Sequence, residues 1–468
     1  MSNAEGFPDA PGQRRIGEVC RAGPAPEVLN RIMERELTLA VQAQDRYVRI
    51  PFDVPRNLRS LEVDLEVLDQ GAVIDLGCEG AAGWRGWSGG AHRCFTISTE
   101  DASPGYLPGP LEEGRWHVVL GLHSLDPGRT RVRVTVRGPA RTMPDHGPHP
   151  EPARRRVRGR DRLLPAPSGM RWLAGDTHAH SVHSDGALSL DELADEAVRS
   201  GLDFLCVTDH NTTSHHRFLP ETGRRHGITL LPGQEITTHR GHANAYGAID
   251  FVDFRRPVEE WASSVITQGG LLSINHPVSG DCSWLHAVPS GVTGVEIMHS
   301  DAYRSPISTA PFAWFSLLQA QRSSGGNAVA GGRTRDTPMA LFAGGDFHHS
   351  GDRIRPGTPT TWVCAEDDSV DAILAAMTAG RTALTTSVAE GTSCSEDHEM
   401  RPDLFEAPMV LRTDPDTVHV LNAAGFVLVD LTGAREFIED SEGTLPAPYG
   451  RGPYVLESPE RSSVAMCQ

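Results

Sequence analysis

The chain has 468 residues, of which 38% are hydrophobic and 22% are charged, as in ordinary soluble proteins with two or three domains. Its formal net charge of −18 argues against a nucleic-acid partner, because phosphate backbones are held by an excess of basic groups. The sequence contains no lysine, so Schiff-base lysines, P-loop lysines and carboxylated-lysine metal bridges are all excluded.

No targeting or membrane-spanning segment is predicted. The stretch MSNAEGFPDAPGQRR at the N-terminus lacks the apolar centre of a signal peptide, and no apolar run approaches the length of a membrane span. The eight cysteines are scattered without a CxxC pair, which predicts reduced thiols rather than a disulfide framework. We therefore expect a cytoplasmic protein that does not bind membranes.

The N-terminal third predicts an accessory region built of strands. Residues 1–45 form an extension in which PEVLNRIMERELTLAVQAQ predicts one helix. Residues 46–138 alternate apolar and polar side chains with period two, as in LEVDLEVL and RVRVTVR, and predict an antiparallel β-sandwich domain. Residues 139–168 are rich in proline and contain ARRRVRGRDR, which predicts a solvated linker; binding of an anion or a partner by these arginines is the alternative.

Residues 169–390 repeat a strand–loop–helix pattern that is typical of a βα barrel. Within LSLDELADEAVRSG, Ser189 and Glu192 have the spacing of a capping box, and Gly201 ends the predicted helix. PVEEWASSVITQGG predicts another helix. Residues 391–468 predict a short β-rich accessory segment, in which TVHVL and FVLVDL are joined by NAAG as a β-hairpin.

Histidine, aspartate or glutamate follows nearly every predicted strand of the barrel region. Because the carboxyl ends of barrel strands meet at one face, we expect these side chains to converge there. Imidazole and carboxylate groups together suit zinc, manganese or iron without any thiolate ligand. The sequence therefore predicts a metal centre drawn from these residues: His178, His180, Asp185, Asp209, His210, Glu235, His242, His276, Glu296, His299, Asp346 and His348.

The order of the motifs DTHAHSVHSDG, VTDHN, GQEIT, GHANAYG, INHP and GGDFHH resembles the PHP (polymerase and histidinol phosphatase) metallohydrolase superfamily. SDGALSLDELADEAVRSGLDFLCVTDHNTT and GRTALTTS further resemble its carbaryl hydrolase-like branch, and the resemblance is strongest over residues 170–390. It implies an α/β fold, namely a distorted (β/α)7 barrel that holds two to three divalent ions.

The resemblance also implies three ligand sets. One ion would be held by His178, His180, Glu235 and Asp346; a second would share Glu235 and take His242 and His276; a third would take Asp185, His210 and His348. The sequence departs from the branch at EIMHSDAY, where an asparagine is usual, and in an insertion at 323–339. Both departures lie near the expected substrate pocket.

Three further residues are candidates for catalysis. Asp209 lies beside a ligand and is interpreted as an orienting group, His299 as a pocket residue, and Arg353 as the cation for a substrate phosphate, ahead of Arg333 and Arg335. A structural salt bridge is an equal alternative for each arginine. His183 is expected in a solvent-facing loop, and His215, His216, His226 and His349 at the surface.

The expected function is hydrolysis by a hydroxide that bridges the metal ions, acting on a small-molecule phosphate ester. A carboxylic ester, carbamate or amide is the alternative substrate class, because the branch resemblance favours it. A third alternative is a non-catalytic, metal-stabilised binding protein. The sequence makes no prediction of oligomeric state.

Overall fold

The computed structural model describes residues 21–22, 30–44, 46–69, 71–153, 157–300, 315–316, 339–387, 399–460 and 462–468. The chain divides into two compact units, Met1–His146 and Gly147–Gln468. The described part is mostly β-sheet with few helices. Arg333, Arg335 and most of the insertion at 323–339 lie outside the described residues.

The first unit contains two four-stranded antiparallel sheets, ordered β2-β9-β4-β7 and β3-β8-β5-β6, and a short β1-β10 pair. Apolar side chains from both four-stranded sheets meet in one buried cluster, because alternate residues of each strand point to the same side. The strands are β1 (Arg21–Ala22), β2 (Asn30–Ala40), β3 (Tyr47–Val54), β4 (Ser60–Val67), β5 (Val73–Gly80), β6 (Gly83–Trp87), β7 (Cys94–Ser98), β8 (Gly114–Ser124), β9 (Arg129–Gly138) and β10 (Thr142–Met143).

The helix predicted within residues 26–44 is wrong. Residues 30–40 form strand β2, which pairs with β9 along almost its whole length. Its Glu36 carboxylate lies 2.6 Å from the Arg133 guanidinium on that neighbour, and Leu39 is buried in the cluster shared by the two sheets. Pairing with β9 therefore overrides the helix propensity of a stretch rich in Glu, Arg, Leu and Met.

The cysteines do not all match the predicted reduced state. Cys94, at the beginning of β7, is disulfide-bonded, so the expectation of thiols throughout is wrong at this position. Cys78, Cys206, Cys282, Cys364 and Cys467 are free thiols. Four of these five are buried, all except Cys282.

The second unit is built around one long sheet with helices on its connections. The strand order is β17-β16-β15-β14-β13-β12-β11-β18-β19-β26-β25-β22-β23. Its first part contains β11 (Arg171–Asp176), α1 (Leu190–Arg199), β12 (Phe204–Val207), α2 (Leu219–His226), β13 (Thr229–Thr238), β14 (Gly241–Tyr246), α3 (Val258–Thr267), β15 (Leu271–Ile274), β16 (Gly294–His299), β17 (Ala340–Gly344), β18 (Thr360–Ala365), α4 (Val370–Thr378) and β19 (Thr382–Thr385).

Helix α1 forms where the sequence predicts it. Ser189 is its N-cap and accepts a hydrogen bond from the Glu192 backbone, while the Glu192 side chain accepts one from the Ser189 backbone, so the predicted capping box is confirmed. Gly201 follows the helix with a φ of 80°, the left-handed conformation that favours glycine. The helix predicted in PVEEWASSVITQGG is also confirmed, as α3.

The described residues show no closed barrel, so the predicted distorted (β/α)7 barrel is not confirmed. The sheet does not return from β17 to β11, because β18 occupies the free edge of β11 in an antiparallel ladder. A single parallel bridge, Ala179 to Phe347, connects the segments that follow β11 and β17. Strand β14 also runs antiparallel to both of its neighbours, unlike a strand of a regular βα barrel.

The described end of the arginine-rich run, residues 157–162, is anchored rather than solvated. Arg158 is buried and donates hydrogen bonds to the carbonyl oxygens of Leu202 and Gly227. The Arg160 guanidinium lies 2.5 Å from the carboxylates of both Asp203 and Asp368. Arg158 and Arg160 therefore hold residues 157–162 against the rest of the second unit. The expectation of a solvated linker is wrong for these residues.

The C-terminal segment is β-rich, as predicted, but its predicted hairpin is wrong. Strand β21 pairs with β20 and β24 in a separate three-stranded sheet, whereas β22 pairs with β23 and β25 in the long sheet. The connecting residues bond elsewhere: the Ala423 and Gly425 amides donate to the carbonyls of Ser441 and Ile438. The strands are β20 (Met409–Asp414), β21 (Thr417–Leu421), β22 (Val427–Val429), β23 (Arg435–Phe437), β24 (Glu442–Pro446), β25 (Tyr454–Glu457) and β26 (Ser463–Cys467).

Across the described ranges, every helix is too short or too polar to cross a membrane.

Candidate metal centre

The predicted ligands collect at one edge of the second unit's sheet. The segments that follow β11, β12, β15 and β17 supply His178, His180, Asp185, His210, His276, Asp346 and His348. Glu235 lies within β13, and His242 lies near the start of β14. Because β14 runs antiparallel to β13, its first residues lie beside the last residues of β13, where Thr237 pairs with His242. Strand direction therefore explains why His242 joins residues from strand ends.

The first predicted ligand set is assembled in the interior. The Nε2 atoms of His178 and His180 lie 3.2 Å and 2.9 Å from one oxygen, Oδ1 of Asp346. The same two nitrogens lie 3.3 Å from Oε1 and 3.5 Å from Oε2 of Glu235. Both histidines and Glu235 are fully buried. Two imidazoles and two carboxylates thus surround one point.

Glu235 connects this point to the second predicted set. Its Oε1 lies 3.1 Å from Nδ1 of His242 and 3.5 Å from Nε2 of His276. The amide nitrogen of the Asn275 side chain donates to the same oxygen over 2.8 Å, which fixes the carboxylate. The ligand atoms of Glu235, His242 and His276 all lie within 4.8 Å of one another, as a shared ion requires.

The third predicted set lies on the more exposed side. Oδ1 of Asp185 lies 3.3 Å from Nε2 of His348 and 3.6 Å from Nε2 of His210. The structure adds His180 to this group, since its ring centroid lies 4.2 Å from that of His348 and 4.3 Å from that of His210. All nine predicted ligands therefore lie in one continuous cluster.

The buried nitrogen and oxygen atoms of the cluster are better placed to bind metal ions than to hydrogen-bond with one another. Among the described residues, His178 Nε2, His180 Nε2, Glu235 Oε2 and Asp346 Oδ1 are buried without a well-aligned hydrogen bond, despite their short separations. Buried polar atoms without partners are costly. Nitrogen and oxygen atoms that point at a common centre, without hydrogen-bonding to one another, are arranged as the ligands of a cation would be. The donor set of imidazoles and carboxylates suits zinc, manganese or iron.

Glu296 orients His178, and sequence reasoning missed this role. Its Oε2 lies 2.9 Å from Nδ1 of His178, which leaves Nε2 of that ring to face the centre. A carboxylate behind a ligating imidazole fixes the ring and its tautomer. Gly344 permits this contact, because a Cβ there would lie 2.4 Å from Oε2 of Glu296 and 2.7 Å from the Cβ of His178. The signal was present in GVEIM, a glutamate within an apolar strand.

Two other ligands are oriented through Nδ1 in the same way. Nδ1 of His210 lies 2.5 Å from the Thr237 hydroxyl, and Nδ1 of His348 lies 2.8 Å from the Asp346 carbonyl oxygen. Both rings therefore turn Nε2 toward Asp185. Thr237 was also missed, since nothing in the sequence indicates which β13 side chain faces His210.

Asp176, at the end of β11, is hydrogen-bonded to the segment that follows β17. Its carboxylate accepts backbone hydrogen bonds from His178, Gly345 and Gly357 at 2.7–3.0 Å. Burial raises the pKa of this carboxyl to about 6, although the three amides act in the opposite direction. A Cβ at Gly345 would lie 2.4 Å from the Asp176 carboxylate. The two glycines of GGDFHH thus make room for Glu296 and Asp176.

Two ligands have unusual backbone conformations. Asp346 and His276 have φ values of 49° and 24°, in the left-handed region that residues other than glycine rarely adopt. Such residues concentrate at functional sites, where the surrounding structure holds them. Each lies two residues after the end of a short strand, so the sharp change of direction aims its side chain at the cluster.

Asp209 supports the loop that carries three ligands. Its buried carboxylate accepts hydrogen bonds from the Ser181 amide at 2.9 Å, the Ser181 hydroxyl at 2.7 Å and the Ser184 hydroxyl at 2.7 Å. Ser181 and Ser184 lie between His180 and Asp185. This position agrees with the interpretation of Asp209 as an orienting group, and a direct catalytic role stays a prediction.

Several histidines expected at the surface are buried. His183 bonds the Ser214 hydroxyl over 2.7 Å, His215 bonds the Val207 carbonyl over 3.1 Å, and His226 bonds Asp191 over 2.9 Å. These three expectations are wrong, because each ring finds a polar partner inside the fold. His216 is half-buried, and His349 is exposed as expected.

Arg353 is exposed on the loop between β17 and β18, downstream of His348. The neighbouring Arg355 is buried and pairs with Glu399. His299 lies at the cluster, with Nε2 3.4 Å from Oδ2 of Asp346. The structure thus places His299 among the ligands, while the phosphate role of Arg353 stays a prediction.

The cluster balances its charges internally. Burial lowers the pKa of His178, but the carboxylates of Asp346 and Glu235 outweigh burial and hold this pKa well above its usual range. Burial alone would raise the pKa of Glu235, yet the imidazoles of His210 and His178 bring it well below the usual range. Without an ion, a proton on His178 therefore compensates these carboxylates, and a divalent cation would replace that proton.

Metal binding is expected to release protons and to strengthen as pH rises. Burial lowers the pKa values of His210 and His348, but Asp185 outweighs it and raises them to about 9 and about 10. Both rings are protonated at neutral pH without an ion, and only their neutral forms bind metal. Calorimetric titration with Zn²⁺ in buffers of different ionisation enthalpy should show proton release at neutral pH and less release near pH 9. An equal release at both pH values would contradict this charge assignment.

Part of the second unit is similar to known proteins. A family model described as PHP domain matches residues 176–276. Partial matches occur with a phosphoribosyl 1,2-cyclic phosphate 1,2-diphosphodiesterase of Eggerthella lenta, 31% identical over 64 residues, and the 5'-3' exoribonuclease Rnm of Escherichia coli, 38% identical over 65 residues. Each match covers 14% of this chain and 24% or 22% of the relative, so the chain spans about a quarter of their length.

Two solved structures show limited similarity. A two-domain protein from Bacteroides vulgatus, described as containing a predicted PHP-like metal-dependent phosphoesterase, has a TM-score of 0.38 and 19% identity, covering 68% of this chain and 91% of that one. An amidohydrolase from Chromobacterium violaceum has a TM-score of 0.27 and 17% identity, covering 38% of this chain and 88% of that one. Both TM-scores are too low to show a shared fold.

The carbaryl hydrolase-like branch stays a prediction. The segment that matches the family model contains most of the predicted ligands, namely His178, His180, Asp185, His210, Glu235, His242 and His276. The structure brings these seven together with Asp346 and His348 at one edge of a sheet. The part of the chain that is similar to the PHP domain therefore contains seven of the nine predicted ligands.

Proposed function

We propose that this protein is a metal-dependent phosphoesterase that hydrolyses small-molecule phosphate esters. The observation that carries the proposal is the position of Glu235, whose two oxygens face five imidazoles at 2.7–3.5 Å. A carboxylate in that position would be a ligand of divalent cations together with these histidines. Bound divalent ions would supply Lewis-acid activation of water and of a phosphoryl oxygen.

The exposure of the ligands indicates where a substrate enters. Glu235, His178 and His180 are fully buried, whereas the side chains of Asp185 and His348 are 45% and 25% exposed. The accessible side of the cluster is therefore the Asp185–His348 side. A substrate phosphate would approach there, while the Glu235 side excludes bulk water.

Residues behind the ligands keep the site rigid. Glu296 holds the His178 ring, Asp209 holds Ser181 and Ser184, and Asn275 holds the Glu235 carboxylate. Such support lets each ligand keep its direction without an energetic cost at the moment of reaction. The chain thus provides a preorganised site of the kind that phosphoryl transfer requires.

The choice of a phosphate ester over a carboxylic ester rests on the partially matching relatives. Their names describe a phosphodiesterase and exoribonucleases, which act on phosphoester bonds. The net charge of −18 favours a small substrate over RNA, because a polyanion would be repelled. Hydrolysis of a carboxylic ester or carbamate is the second candidate function, favoured by the branch resemblance of GRTALTTS.

One assay separates these substrate classes. Protein loaded with manganese or zinc should hydrolyse an aryl phosphate faster than the matching aryl carboxylic ester, the aryl carbamate or a short RNA, with Asp346→Asn as the blank. Asp346 contacts both His178 and His180, so the blank should be inactive but folded. Preferential cleavage of the carboxylic ester or carbamate would replace the phosphoesterase proposal with the second function.

The same assay tests Arg353. An Arg353→Ala variant should lose activity on the aryl phosphate much more than on the carboxylic ester, because only the phosphate carries a charge for the guanidinium to bind. Arg451→Ala, an exposed arginine of the C-terminal segment, is the matched control. Equal losses on both substrates would remove the phosphate role of Arg353.

A further inference from the structure

Strand β16 contains an irregularity one residue after Glu296. Glu296 pairs with Phe342 and Met298 pairs with Ala343, so Ile297 is an extra residue relative to β17. In a regular strand, residues three apart point to opposite faces. One extra residue restores the alternation, so His299 points to the same side as Glu296. Nε2 of His299 accordingly lies 3.7 Å from Oε1 of Glu296.

The bulge brings His299 to the ligand cluster. Its ring lies 4.9 Å from the His276 ring and 6.3 Å from the His178 ring, measured between centroids. One nitrogen from each of these three histidines lies within 4.8 Å of the others, the spacing of groups that could share an ion. The His299 side chain is only 12% exposed, so it faces the cluster rather than solvent.

Asp346 links His299 to the rest of the centre. Its Oδ1 faces His178 and His180 at 3.2 Å and 2.9 Å, whereas its Oδ2 faces Nε2 of His299 at 3.4 Å. The two oxygens of this carboxylate thus point into different parts of the cluster. Glu235 has a similar arrangement, with Oε1 toward His276 and Oε2 toward His180.

We infer that His299 is a further metal ligand, which binds an ion together with His178 and His276. The inference rests on the metal centre of the proposed function and is independent of which ester is hydrolysed. A third imidazole on this ion favours cations that prefer nitrogen, such as Zn²⁺ and Co²⁺, over Mg²⁺ and Mn²⁺. The histidine in EIMHSDAY would then change the metal preference of the site.

Cobalt binding by the full-length protein tests the inference. Removal of a residue that only orients a metal ligand lowers metal affinity by about 10- to 100-fold. Removal of a ligand itself, as in His299→Ala, should therefore weaken one Co²⁺ site by at least about 10-fold. His299→Cys should bind Co²⁺ and gain thiolate-to-cobalt charge-transfer absorption, because the sulfur would replace the imidazole nitrogen. The wild-type protein provides the spectral baseline for the native cysteines.

His349→Ala is the matched control, since this histidine is exposed on the segment after β17 and should leave Co²⁺ affinity and spectrum unchanged. A cobalt-loaded His299→Cys protein without the new absorption would overturn the inference, whatever its metal content. If His299→Cys shows the band but the wild-type protein hydrolyses no phosphate ester, the phosphoesterase proposal is refuted. The assignment of His299 as a ligand is then unaffected.

Discussion

Replacement of Glu235 by Gln should lower kcat/KM for an aryl phosphate by at least about 10³-fold, which corresponds to roughly 4 kcal/mol of transition-state stabilisation. The structural reason is that Glu235 serves two of the predicted ligand sets. Its Oε1 faces His242 and His276 and its Oε2 faces His180. A neutral amide would keep the volume but lose the charge that holds adjacent cations together. Steady-state kinetics and metal content measured on the same preparation would show both losses.

The Glu235→Gln result needs a control for a general effect of losing a carboxylate. Glu436→Gln provides it, because Glu436 is exposed on β23, outside the cluster, and its replacement should change neither activity nor metal content. A Glu235→Gln protein that keeps full activity and full metal content would contradict a central role for this carboxylate. Loss of activity with unchanged metal content would instead place Glu235 in the reaction without a ligand role.

Addition of a single methyl group at Gly344 is expected to have a large effect on metal affinity and stability. In Gly344→Ala, the new Cβ would lie 2.4 Å from Oε2 of Glu296 and 2.7 Å from the Cβ of His178, both of which are buried. One of these groups must move, so the contact that orients His178 is broken. We expect metal affinity to fall by about 10- to 100-fold and the free energy of unfolding to fall by about 1–3 kcal/mol. Zinc titration and urea denaturation measure the two effects separately.

Gly443→Ala is the matched control for this variant. Gly443 lies in β24, and a Cβ there would meet nothing within 4 Å. The same substitution should therefore be nearly neutral for stability and for metal binding. Equal zinc affinity in Gly344→Ala and Gly443→Ala would show that the Glu296–His178 contact is unnecessary for the centre.

Secondary structure was predictable where local sequence decides it. The capping box of α1 involves Ser189 and Glu192, three residues apart, so its hydrogen bonds form within one turn. The prediction failed for β2, because its helix-favouring residues pair with β9, about one hundred residues later. It failed again for β21 and β22, whose partners are β24 and β25 rather than each other. Non-local pairing can override local propensity.

The sequence by itself, with its family resemblance, determined which residues are candidate metal ligands, because histidine, aspartate or glutamate follows nearly every predicted strand and spacings such as His178-x-His180 and Asp346-x-His348 place both side chains on one side. Only the tertiary structure decided how these ligands are supported and shared. The Glu296–His178 contact joins residues that are 118 positions apart, and the bulge at Ile297 that redirects His299 depends on its register with β17. Contacts and registers of this kind are set when strands pack, which local patterns do not encode.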